Sequence, residues 1–159
     1  MRFAGLLAAA VWFGGLLTLG ALVAPAVFDT MAAQHVADPR VLSGAVVGEI
    51  LRRFHLVSYG CAVVALASLV ARAVLGPRPR RFALRAGLIA AMFAASLYSG
   101  LVLRGQIDQL RQEIGAAPSS LRADDERRVR FGRLHAQASA IQIVPLVGSL
   151  LLLAFELKD

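Results

Sequence analysis

The chain has 159 residues, 58% of them hydrophobic, and carries a formal net charge of +7. Soluble domains are about 45 to 50% apolar, so this excess, concentrated in long runs, excludes an ordinary water-soluble core and indicates an integral membrane protein. The arginines flank the apolar runs instead of lining one face between aromatic residues, which argues against a nucleic-acid partner. A single cysteine, Cys61, excludes an internal disulfide. The length predicts a single domain over residues 1–159.

The first apolar run covers residues 3–28 and is long enough, at about 1.5 Å per residue, to cross a hydrocarbon layer of about 30 Å. A secretory signal is the alternative, because Arg2 precedes the run and an Ala-Pro-Ala sequence surrounds Pro25. Signal peptides have shorter apolar regions, of roughly 7 to 15 residues. We therefore predict a retained helix that Pro25 kinks or ends, with Gly14 and Thr18 packed against a neighbouring helix.

The second span is predicted over residues 55–75, after a polar connection and an amphipathic segment at 41–53. Glu49 and Arg53 are spaced to pair on one face of that segment. The segment either lies at the membrane interface or extends the second span outward. Arg72, near the far end of the span, is predicted to reach the surface by snorkelling.

The third span is predicted over residues 82–103, directly after the basic GPRPRR sequence. The arginines of that sequence are predicted to contact anionic lipid headgroups; they are Arg78, Arg80 and Arg81. Small residues repeat every four positions along the third span, which predicts a helix buried at the centre of a bundle. These small residues are Ala83, Gly87, Ala91, Ala95 and Ser99.

The fourth span is predicted over residues 134–157. Before it, an amphipathic continuation of the third span should end at Gly115, and Ser120 or Asp124 is predicted to cap the next helix. Polar residues recur at helical spacing along the fourth span and should face other helices, because unpaired polar groups are costly in lipid. The stripe comprises His135, Ser139, Gln142, Leu146, Ser149, Leu153 and Glu156.

Four spans place both termini on the same side of the membrane. Ten lysines and arginines surround the first and third connections against seven on the other side, which favours termini outside. The first helix and the short, wholly basic GPRPRR loop favour cytoplasmic termini. We adopt cytoplasmic termini in the cell's inner membrane.

Four short sequences resemble, in their order and spacing, one known family of membrane proteins: WFGG at 12–15, AP.VF at 24–28, RRFH at 52–55 and RFGRLH at 130–135. That family is the four-helix group catalogued as domain of unknown function 4149, which includes eukaryotic transmembrane protein 205. The motif positions are Trp12, Gly14, Gly15, Pro25, Phe28, Arg130, Phe131, Leu134, His135 and Gln142. Family members often have serine and asparagine where this chain has Ala138 and Gln142. The resemblance implies a polytopic membrane protein without an established biochemical activity.

His55 and His135 are the side chains with the clearest capacity for chemistry. Both stand near the starts of helices that run parallel, so both should lie at the same side of the membrane. Together they could ligate haem b, or with Glu49 a copper or zinc ion. The family is also distantly similar to copper-resistance D proteins and to four-helix protoporphyrinogen oxidases, although this rests on helix number alone. A packing or anchoring role is the favoured alternative, and a proton relay is the third.

The first connection offers a second ligand set, formed by Asp29, Met31, His35 and Asp38, although a solvated loop is favoured there. No catalytic residue is predicted, and no cofactor is favoured.

The sequence therefore predicts an all-α, integral membrane four-helix transmembrane bundle with short amphipathic extensions. The predicted function is a non-enzymatic structural, accessory or solute-handling unit, with a haem- or metal-binding protein as the alternative. A transporter would need a hydrated stripe and hence a homo-oligomer, since Leu146 and Leu153 interrupt the stripe.

Overall fold

The computed structural model describes residues 1–34 and 37–158. Four long helices account for most of these residues: α1 (Arg2–Ala33), α2 (Pro39–Leu75), α3 (Phe82–Ile114) and α4 (Glu126–Lys158). Each is long and apolar enough to cross a membrane. The predicted all-α four-helix membrane bundle is confirmed, and each helix extends beyond its predicted span.

The helices form a ring in which α1 packs on α2 and α4, and α3 packs on the same two. Short connections make successive helices antiparallel. Both termini and the 76–81 connection therefore lie at one end, here named the terminal end, and the other two connections lie at the opposite end, the loop end. Large apolar side chains cover the outside, as expected of a surface that faces lipid.

A π-helical turn interrupts α1 at Leu19–Val23, where the backbone N–H of Ala24 bonds the carbonyl of Leu19. Proline has no N–H, so the widened turn accommodates the hydrogen bond that Pro25 cannot make. Of the two effects predicted for Pro25, a kink or an end of the helix, the end is wrong, because α1 continues to Ala33.

The amphipathic segment at 41–53 is the first part of α2 and extends the second span outward. On its exposed face the Glu49 carboxylate bonds Arg53 at 2.9 Å, as the spacing predicted, and Arg52 at 2.7 Å. The amphipathic end of α3 likewise continues its helix and stops at Gly115, whose φ of +65° favours glycine.

Asp125 caps the start of α4 by accepting a hydrogen bond from the backbone N–H of Arg127 at 2.9 Å. The Arg127 guanidinium, together with this backbone bond, holds the pKa of Asp125 below its ordinary value. Neither predicted cap is used, since Ser120 belongs to a separate 3₁₀ turn and the Asp124 carboxylate pairs with Arg122.

α4 is interrupted at Gln142, between helical segments that end at Ile141 and resume at Ile143. Pro145 follows and has no N–H to donate to the preceding turn. As a result the polar stripe is only partly internal: Ser149 and Glu156 are buried, whereas His135 and Ser139 are exposed.

Two apolar clusters fill the interior. The larger one, toward the terminal end, comprises Ala8, Ala9, Trp12, Cys61, Ala62, Ala65, Leu69, Ile89, Met92 and Leu152. The smaller one, toward the loop end, has Leu103, Leu110 and Leu134 at its centre. Along α3 and α4 the two clusters are separated by polar residues, including Ser96, Ser99 and Gln142.

The small residues of α3 do not form one buried face. Ala95 and Ser99 are buried, but Ala83, Gly87 and Ala91 lie on the outside of the bundle. The inward face at that end carries Arg85, Ile89 and Met92 instead. This orientation of α3 follows from Arg85, because its charge must reach a partner inside the bundle rather than lie against lipid.

The packing face predicted for α1 is also displaced. Thr18 is exposed, and a Cβ added to Gly14 would meet no atom within 4 Å. The close approach is made by Gly15, where an added Cβ would lie 2.7 Å from Cζ of Phe54 on α2. Trp12, one turn earlier, is completely buried.

Candidate functional site

His55 is a buried polar residue at the middle of the bundle, 5% exposed. Its Nδ1 lies 2.8 Å from the carbonyl oxygen of Leu51, which can only accept, so Nδ1 carries the proton. Its Nε2 lies 3.4 Å from the amide nitrogen of Gln142 on α4, which donates to it. Both ring nitrogens of His55 are therefore engaged.

Gln142 connects three helices at this point. Its amide nitrogen also donates to the hydroxyl of Ser99 on α3, at 3.3 Å. The interruption of α4 at Gln142 places this amide between α2 and α3. The break in the helix therefore coincides with the hydrogen-bonded group of His55, Ser99 and Gln142, which we name the node.

A π-helical turn at Tyr98–Leu103 shapes the α3 side of this node. An added Cβ at Gly100 would lie 2.5 Å from the Tyr59 hydroxyl and 2.9 Å from Cδ2 of His55. The absence of a side chain at Gly100 lets α3 approach both rings, and π-helical turns occur frequently at functional sites.

A cavity of about 200 Å³ opens from the node toward the loop end. All four helices contribute to it, and its walls are mainly apolar with a few polar groups. The lining residues are Phe28, Gly44, Val47, Gly48, Leu51, His55, Arg104, Ile107, Asp108, Arg111, His135, Ala138, Ser139 and Gln142. A second cavity of about 440 Å³ shares Phe28, Gly44, Arg111 and His135 with it. We name the two together the loop-end crevice.

The structure brings His55 and His135 to the same crevice, but in different surroundings. His135 is exposed and stacks on Phe131, with ring centroids 6.1 Å apart. His55 lies much further along its helix than the predicted first turns, 16 residues after α2 begins at Pro39.

Glu49 is not brought to the histidines: its carboxylate bonds Arg52 and Arg53, and it does not line the crevice. Within residues 1–34 and 37–158, no group of three or more His, Cys, Asp and Glu side chains could hold a metal ion. His35, of the second predicted ligand set, lies outside the described residues.

Several of the family motif positions pack in the bundle interior or line this crevice. Trp12 and Leu134 are buried in the two apolar clusters, and Phe28 lines both cavities. Phe131 supports Arg111, whose guanidinium lies 5.7 Å from the ring centre. Arg130 is exposed.

A second polar cluster, at the terminal end, contains one residue from each helix. Glu156 of α4 accepts from Arg72 of α2 at 2.7 Å and from Arg85 of α3 at 3.2 Å. Arg2 of α1 donates from Nε to the backbone carbonyl of Glu156 at 3.1 Å. We name these four residues the terminal clamp.

The terminal clamp corrects the prediction that Arg72 snorkels to the surface, because Arg72 pairs inside the bundle. Sequence reasoning missed the cluster, although one signal was present: Glu156 is an acid in an otherwise apolar segment, and such a charge requires a partner in lipid. The clamp holds helices together and leaves the loop-end crevice as the candidate functional site.

This fold and this crevice define a multi-pass membrane protein with an internal, partly polar cavity. The profile of the family described as Domain of unknown function (DUF4149) matches residues 7–116, and the chain belongs to that family. The match includes the motif positions in α1 and the His55 region, whereas the RFGRLH sequence of α4 lies outside it. Neither the comparison with curated proteins nor that with solved structures gives a match.

Proposed function

We propose that this protein is a non-enzymatic membrane protein that binds a small solute in the loop-end crevice. The observation that carries the proposal is the convergence of all four helices on one open space, where the polar groups of His55 and Gln142 meet apolar walls. Ligand sites combine a mainly apolar surface with a few placed polar groups in this way.

The polar groups of the crevice support binding better than catalysis. The Ser139 hydroxyl donates to the carbonyl of His135 at 3.0 Å, so this serine is engaged with its own helix rather than with an imidazole. Both nitrogens of His55 are already engaged, and a ligated metal would have to displace Gln142. These contacts favour solute binding over the haem or metal alternative.

The proposal predicts that water reaches the crevice but not the apolar cluster below it. In a Cys61→Ala background, cysteine is introduced singly by Ala138→Cys in the crevice or Met92→Cys in the buried cluster. A charged, membrane-impermeant thiol reagent should modify the first and not the second in the protein reconstituted in nanodiscs made of phosphatidylcholine alone. Gln112→Cys, on the exposed end of α3, provides the positive control.

Equal modification at positions 112 and 138 would support the proposal. Modification at 112 without modification at 138 would show that the crevice is closed to water and would overturn it. The cofactor alternative is tested by an absorption spectrum and metal analysis of the wild type and His135→Ala. It requires that the wild type show a Soret band or stoichiometric metal and that the variant lose this signal.

We also propose an inner-membrane location with cytoplasmic termini, so that the crevice opens to the outside. The basic 76–81 connection supports this orientation, since Arg78, Arg80 and Arg81 would then contact anionic lipids of the cytoplasmic leaflet. In intact cells, the Gln112→Cys variant should react with the impermeant reagent, and reaction only after cell disruption would reverse the orientation.

A further inference from the structure

Two arginines from α3 lie on one wall of the loop-end crevice. Arg104 donates to the carbonyl of Gly48 at 3.3 Å, and Arg111 donates to the carbonyl of Gly44 at 3.3 Å. Asp108 stands between them and accepts from Arg104 at 3.1 Å. Both guanidiniums are thus held across the gap between α3 and α2.

The glycines of α2 create the space that Arg111 occupies. A Cβ added at Gly44 would lie 3.0 Å from Nη2 of Arg111, and one added at Gly48 would lie 3.5 Å from Nη1. Gly44 and Gly48 are one helical turn apart on α2. Because neither has a side chain, the Arg111 guanidinium can lie directly against the α2 backbone. Phe131 on α4 faces the same guanidinium.

The charge of this wall is positive. Asp108 offsets one of the two guanidiniums, and Arg40 adds a further positive charge in the adjoining cavity. A guanidinium has five N–H donors, of which these contacts occupy only some, so donors remain for an anionic ligand.

The crevice combines this cationic wall with an apolar one, formed by Phe28, Val47, Leu51 and Ile107. Arg104 directly follows the predicted third span at 82–103, which places it at the level of lipid headgroups. Guanidiniums at this level can bind the phosphate oxygens of phospholipid headgroups through charge-assisted hydrogen bonds.

We propose that the crevice binds an anionic amphiphile, with its phosphate on Arg104 and Arg111 and its apolar chain against Phe28 and Leu51. This inference rests on the proposed function and specifies its ligand class. The shared chemistry is a phosphate group, which a phospholipid of the bilayer or free phosphate could supply, and the apolar wall favours the phospholipid.

The test uses the full chain in nanodiscs that contain equal amounts of phosphatidylglycerol and phosphatidylcholine, followed by native mass spectrometry of the lipids that stay bound. The wild type should retain phosphatidylglycerol in preference to phosphatidylcholine. In R104Q/R111Q this ratio should fall by on the order of tenfold. The matched control is R130Q/R133Q, with the same charge change on exposed arginines that do not line the crevice.

A second variant distinguishes loss of the lipid site from loss of folding in R104Q/R111Q. Ala138→Phe fills the crevice and leaves both arginines in place, so it should also abolish the preference. Inorganic phosphate at about 10 mM, roughly ten thousand times a micromolar dissociation constant, should not displace the lipid.

Equal retention by the wild type and Ala138→Phe, or an equal fall in the R130Q/R133Q control, would overturn the inference. Displacement by inorganic phosphate would show an anion site without selectivity for a chain and would also overturn it. A crevice that admits the thiol reagent but shows no lipid preference refutes only the ligand class, whereas a crevice closed to the reagent refutes the proposed function itself.

Discussion

Replacing Glu156 with glutamine tests whether the terminal clamp stabilises the bundle. Glu156→Gln keeps the shape of the side chain but converts one carboxylate oxygen into an NH₂ donor that faces a guanidinium. Arg85 is almost fully buried, with 3% of its side chain exposed, and Arg72 is 18% exposed. Removal of one partner from a buried ion pair costs about 3 to 5 kcal/mol.

The expected loss in the free energy of unfolding is smaller than that full range. The remaining amide oxygen of the variant can still accept from one arginine, and partial exposure of Arg72 weakens its share by solvent screening. We therefore expect a loss of about 2 to 3 kcal/mol. The Arg2 contact should persist because it is made to the backbone carbonyl of residue 156.

The assay is unfolding of the purified protein in detergent micelles titrated with a denaturing detergent. Trp12 is the only tryptophan and is completely buried, so its fluorescence reports the larger apolar cluster. The matched control is Glu49→Gln, which removes an equally double-paired carboxylate from the exposed face of α2 and should leave stability unchanged. A loss in Glu156→Gln no greater than in Glu49→Gln would refute the view that burial makes the clamp stabilising.

Two further substitutions test contacts elsewhere in the bundle by the same unfolding measurement. Gly15→Ala should destabilise the protein by about 1 to 3 kcal/mol, because the added Cβ would overlap the Phe54 ring. The control is Gly14→Ala, which has open space around it. Equal losses of stability in the two variants would contradict the close approach of α1 and α2 at Gly15. Gln142→Leu should cost about 1 to 3 kcal/mol through loss of the amide that joins α2 to α3. Ser139→Ala removes a hydroxyl that bonds only its own helix and should change stability little; a larger effect there than at Gln142 would contradict the proposed node.

The number of helices and their antiparallel order could be predicted from the sequence, because long apolar runs and the GPRPRR break depend only on neighbouring residues. The inward faces could not. Small-residue spacing selected Gly87 and Ala91, whereas the orientation of α3 is set by Arg85 and its partner on α4, 71 residues away. A single sequence carries no signal for which distant charges meet.

The candidate site was only partly predictable for the same reason. His55 and His135 were singled out because ionisable residues are rare in membrane spans, and both do line the crevice. The positions of Arg104 and Arg111 depend on contacts with the backbone of α2. From the sequence alone, these two arginines could not be distinguished from the many others of the same polar segment. The node at Gln142 depends on a helix interruption that the apolar pattern hides.

The terminal clamp has a consequence for biosynthesis. It joins residue 2 to residue 156, so it cannot close until α4 has been synthesised. During insertion, the guanidiniums of Arg72 and Arg85 cannot meet the Glu156 carboxylate until α4 is inserted beside α2 and α3. Completion of the bundle therefore depends on α4, and a truncation that removes its final turn should deprive the guanidiniums of α2 and α3 of the Glu156 carboxylate and expose the inserted helices to membrane quality control.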